Sequence, residues 1–266
     1  MRGSTRKTPT AGRDRPSLAT VTGAELARMR HGFLFWYSLL APVVVALPLY
    51  LAAARSPEAM QGRQWDVFSN VTLELWGVLV PMTAGLAASL SVHADRDAWR
   101  LLLSYGVPRW RYFVGKFVAL TVLQLASATV LVGLLGIGAV MHGKLVADLH
   151  VVLGGAYLPW FAALATLAIV GYVAMRWGLG VGIAVGVFGL FSGALMSDKD
   201  IWWAVPTAWP MRVILPLAGI GPNGIPLSAE SPLRDLSVLP AALGLSLGLA
   251  ALVLWAGSRH LQHKQI

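Results

Sequence analysis

Six stretches of this chain run for about twenty residues with almost no charge, and that pattern constrains the fold more than any other feature. They are Phe33–Ala54, Val71–Val92, Phe117–Val140, Val151–Val173, Gly178–Met196 and Ser237–Gly257. At 1.5 Å rise per residue, a helix of about 20 residues crosses about 30 Å of hydrocarbon. An open sheet in lipid leaves backbone groups unpaired, so each stretch must be a helix. Pro42, Pro48, Pro81 and Pro159 fall inside these stretches and bend a membrane helix without ending it. The sequence therefore predicts an all-α integral membrane protein with six transmembrane helices. The first span is expected to stay in the chain. Thirty-two residues precede it, and its apolar run exceeds that of a signal peptide, although Ala52-Ala53-Ala54 mimics a cleavage site.

Composition agrees and removes other classes. Of 266 residues, 56% are hydrophobic and 12% charged, with mean hydropathy +0.66. A soluble protein carries about 25% charged residues. With no Cys, a disulfide scaffold is excluded. The net charge of +9 is better explained by basic loops beside a membrane than by nucleic-acid binding. Segments 1–32, 93–116, 174–177 and 258–266 hold 15 of the 21 Lys and Arg residues, and 55–70, 141–150 and 197–236 hold 6. By the positive-inside rule both termini face the cytoplasm of a plasma-membrane protein. Residues 1–19 read as a disordered basic tail and 258–266 as a cytoplasmic tail. Between them, 20–257 form one transmembrane domain. Ala24–His31 read as an interfacial elbow helix, with Leu26 and Met29 on one face. The outer loop 197–236 is rich in Trp and Pro, which suggests short helices dipping back into the membrane.

No catalytic or metal motif survives inspection. Gly138–Leu145 has phosphate-loop spacing, but Leu145 stands where Ser or Thr should hold magnesium. Gly244-Leu245-Ser246-Leu247-Gly248 matches a nucleophile elbow, yet it lies mid-membrane, where small residues serve helix packing. His260 and His263 lack a third ligand. Two polar residues inside spans remain as a candidate polar pathway, Glu74 and Gln124. Glu74 either reaches water near the outer end, or it lines such a path or pairs with a basic group. In the fifth span Gly178, Gly182, Gly186, Gly189 and Gly193 fall within roughly an 80° arc. That stripe packs either against another helix of the same chain or against a second chain.

The inner loop 93–116 carries the most specific pattern. As a helix, Trp99, Leu102 and Leu103 share one face, and Arg96 and Arg100 another. Pro108 disfavours helical backbone before it and can open the next helix. The product is a short amphipathic helix at the inner surface, serving either to couple or only to anchor. With an acidic residue, a W-x-x-L-L-like run, then Pro, Arg and Lys, this loop resembles that of the permease subunits of ABC-2 type transporters. The likeness is greatest to the small permeases of lantibiotic-immunity and bacitracin-type exporters. The matching positions are Asp95 or Asp97, Trp99–Leu103, Pro108, Arg109 or Arg111, and Lys116. Many such permeases carry Glu where this chain offers Asp.

The resemblance implies a type V ABC exporter-like domain, with an elbow helix, a cytoplasmic coupling helix and no ATPase of its own. Two permeases, identical or sister chains, would join two ATP-binding subunits. Those subunits would hold ATP and Mg, leaving no cofactor in this chain. Asp95, Asp97, Trp99, Arg100, Leu102, Leu103, Pro108 and Arg109 would form the contact with the ATPase. The implied substrate is hydrophobic or amphipathic, such as a lantibiotic, exported for immunity or resistance in a bacterium. The competing reading is a membrane-embedded accessory or assembly protein without a transport path.

Overall fold

A computed structural model describes residues 16–55, 62–96 and 108–263. These residues form helices, turns and loops, with no strand among them; Ile220 and Pro226 make a single isolated bridge. The helices are α1 (Leu18–Met29), α2 (Phe33–Ala54), α3 (Gln64–His93), α4 (Arg109–Met141), α5 (Leu145–Ala162), α6 (Leu164–Trp177), α7 (Leu179–Met196), α8 (Trp209–Ala218) and α9 (Val238–His263). Six helical stretches are long and apolar enough to cross a membrane, with α5 and α6 together making the fourth. "Inner" below means the side of the 94–108 loop.

The spans outrun their apolar stretches. Helix α3 begins at Gln64 rather than Val71, α4 at Arg109 rather than Phe117, and α9 continues to His263. Hydropathy marks where a helix meets hydrocarbon, whereas backbone hydrogen bonding continues through the polar ends. Helix α1 starts at Leu18, inside the stretch read as tail, because the Ser17 hydroxyl accepts the Thr20 N–H at 3.1 Å. The fourth span was expected to be continuous and is broken at Ala163. Pro159 sits just before the break and denies the preceding turn one amide donor. The Ser246 hydroxyl fills the gap. It accepts the Ala165 N–H at 3.2 Å and faces the carbonyls of Phe161 and Ala162 at 3.0 Å each, sharing its proton between them. The serine of the apparent nucleophile elbow is thus a backbone clamp.

Helix α3 is the central span and packs against α2, α6, α7 and α8. Its approach to α7 is set by glycine. A Cβ on Gly85 would stand 2.6 Å from the Gly186 Cα, so neither position admits a side chain. On the outer side the chain folds back as two short 3-10 turns, Trp202–Ala204 and Pro206–Ala208, followed by α8. Met211, Val213, Ile214 and Leu215 of α8 are fully buried. Ile214 and Met211 lie over Gly77 of α3, which is thirteen residues, or about 20 Å, from the outer end of that helix. The segment therefore enters the bundle.

Candidate functional site

Four charged side chains meet at the inner end of the bundle, where α1, α3 and α4 converge. Glu25 and Arg28 are three residues apart on α1 and share a face. Asp95 lies just past the last turn of α3, and its amide reaches the Val92 carbonyl at 3.3 Å. Tyr112 and Lys116 are one turn apart near the start of α4. Gly115 lets α1 lie directly on α4, since a Cβ there would stand 2.8 Å from Val21 Cγ1. Arg111 also donates to the Pro16 carbonyl at 2.8 Å.

Lys116 is the hub. Its Nζ lies 2.9 Å from Glu25 Oε2 and 2.7 Å from Asp95 Oδ2, and it also reaches Ser91 Oγ at 3.0 Å and the Ser91 carbonyl at 3.2 Å. Arg28 bridges Glu25 at 2.5 Å and pairs with Asp95 Oδ1, while the Tyr112 hydroxyl donates to Asp95 Oδ2. Asp95 is 0% exposed, Lys116 1% and Glu25 6%. The two acids and two bases balance in charge. Burial alone would raise the Asp95 pKa, but Lys116, Tyr112 and Arg28 overcome it and hold the carboxyl below its usual range. The cluster ties together both stems of the inner loop: Asp95 opens it, and Tyr112 and Lys116 follow its close. Displacing either stem would pull on α1.

A family model described as ABC-2 family transporter protein matches residues 23–193. That span is 171 of the 266 residues and contains every charged member of the cluster. The chain belongs to the ABC-2 family of transporter proteins. Neither the comparison with curated proteins nor that with solved structures returned a match. The ABC-2 permease family is a component of membrane transport and not itself catalytic, and it implies association with an ABC ATPase. Family membership and the six apolar helices make the chain a membrane-embedded protein.

In this ABC-2 protein the residues singled out from sequence scatter. Asp97, Trp99, Arg100, Leu102 and Leu103 lie outside the described residues. Asp95, expected to face the ATPase, is buried and spends its carboxylate on Lys116, Arg28 and Tyr112. Pro108 caps α4 and Arg109 is its first residue, both half-buried. Gly182, Gly186, Gly189 and Gly193 turn inward, against Ser89, Gly85, Pro81 and Thr207, and Gly178 caps α7 at φ +96°. The stripe is an intrachain seam. Glu74 and Gln124 are not brought together. Glu74 Oε2 abuts Gly224 in the outer turn, whereas Gln124 lines a small cavity with Trp76 and Trp160. Among the described residues no group of three His, Asp or Glu side chains is placed to hold a metal ion.

Sequence reading missed Glu25, Tyr112 and Ser91 and met Lys116 only through the family pattern. One signal was available: a lysine eight residues into a helix that continues as membrane span needs an anionic partner.

Proposed function

We propose that the chain is the permease subunit of an ATP-binding cassette exporter, with hydrolysis on a separate subunit docked at the inner loop. The observation carrying this reading is that both stems of that loop end in one buried ionic cluster with α1. A push on the loop is then transmitted to α1, α3 and α4 together, because separating the charges in a buried site is costly. Trp99 and Leu102 are the apolar anchors for the ATPase, and Arg100 reaches its acidic groups. Two permeases, the same chain or a sister, form the transport unit, with the path between them. The cargo is a hydrophobic or amphipathic compound taken from the membrane and released outside, such as a lantibiotic, which would confer self-immunity or resistance. Support for that cargo is the resemblance of the inner loop to lantibiotic-immunity permeases.

The test is affinity purification of the permease from its own host membranes. Wild-type chain should carry a stoichiometric ABC ATPase whose hydrolysis rises with an amphipathic peptide in reconstituted vesicles. Burial of one large apolar side chain contributes about 1.5–3 kcal/mol, so Trp99→Ala should lower ATPase recovery about tenfold or more while membrane insertion stays normal. Full recovery and full coupling in this variant would reduce the loop to a surface anchor and remove the reading.

A further inference from the structure

Two N–H donors buried in the bundle, one indole and one amide, have no acceptor among the described residues. Trp76 of α3 is 2% exposed, and its indole Nε1–H meets no protein acceptor among the described residues. The Gln124 Nε2 of α4 is in the same position. Both side chains line one cavity, closed further by Trp160 and by Ala163 and Leu164 at the break between α5 and α6. The Trp160 indole is already satisfied by the Thr121 carbonyl at 3.1 Å. The remaining wall is aliphatic, from Val80, Ala84 and Leu167. The cavity has about 10 Å³ of free room, enough for about one water and far less than an organic molecule requires.

An indole nitrogen only donates, so Trp76 needs an acceptor supplied from outside its own helix. In lipid no bulk water reaches this depth, and an unmet donor is costly. We propose that Trp76 and Gln124 form a binding site for a single hydrogen-bond acceptor, a water molecule held between α3 and α4 at the broken span. A water accepts two N–H groups at once and reorients as its partners move. The joint between α3, α4 and the α5–α6 break is then wet, and these helices shift without baring a donor. This site does not depend on the transport reading.

The experiment is a thermal double-mutant cycle in detergent with Trp76→Phe and Gln124→Leu, paired with a high-resolution cryo-electron microscopy map of the wild-type chain in nanodiscs. The water site predicts that each single variant lowers the unfolding midpoint. The double variant then falls no further than the worse single, because the bridge is already lost. The map should show an isolated density peak within hydrogen-bond distance of both nitrogens. Singles that raise the midpoint or leave it unchanged would mean the donors are simply unmet, and the site is refuted. Coupled singles without a density peak would mean a direct bond through a reversed Gln124 amide, which equally refutes it.

Discussion

At the scale of single residues, the cluster around Lys116 makes the sharpest demands. Lys116→Met would leave Asp95 and Glu25 buried without the ammonium that joins them. Breaking a buried pair costs about 3–5 kcal/mol. The variant should therefore show a strongly lowered unfolding midpoint in detergent, and adding Asp95→Asn should recover part of it. The pH dependence follows from Asp95. Its folded pKa lies below its usual value, about 3.9 in an unfolded chain. Its stabilisation is complete above that value and disappears as pH falls towards the depressed folded pKa. Wild-type stability should therefore drop below about pH 4 more steeply than that of Asp95→Asn, measured by thermal melts across an acid series. Little of this was legible beforehand. Glu25 and Asp95 are 70 positions apart, and neither spacing nor hydropathy pairs residues across that distance.

Among the helices, two features lead to measurements. Gly186 faces Gly85 backbone to backbone, so Gly186→Val has nothing flexible to displace. Overpacking costs about 1–3 kcal/mol, and more where backbone must move. Phe188 on the opposite face is 70% exposed, so Phe188→Ala should leave the midpoint of the detergent-solubilised chain nearly unchanged. Ser246→Ala should cost about 1–3 kcal/mol by leaving buried backbone groups at the α5–α6 break unmet. The same melts check all three. The six spans were readable because 20-residue apolar runs admit only one structure in lipid. The glycine stripe was readable as a packing face, but its partner was not, since close approach to α3 depends on Gly85 a hundred residues away. The break at Ala163 also escaped. Proline in a membrane helix is compatible with a bend or a rupture, and which one occurs depends on whether a clamp such as Ser246 is present.

For the molecule as a whole, the charge asymmetry and the inward stripe set two expectations. Because the chain has no Cys, Thr5→Cys and Ser104→Cys should resist an impermeant thiol reagent in intact cells and react once the membrane is opened. Labelling before opening would invert the topology. Cysteine at Gly186 or Gly189, if tolerated, should give no disulfide-linked pairs of chains, since both positions are covered by α3 or Thr207. The ionic cluster also has a consequence for biosynthesis. Glu25 precedes Lys116 by 91 residues, and Arg28 precedes Asp95 by 67. At 5–20 residues per second the ribosome takes roughly 5–18 s to add 91 residues. Until Asp95 is added, 70 residues after Glu25, Glu25 and Arg28 are the only charged members of the cluster present. A chain arrested after the second span holds two acids, Glu25 and Asp95, against Arg28 and lacks Lys116, so its cluster is one positive charge short. Arrival of the third span would then bring Lys116 to both acids and close the inner end of the bundle.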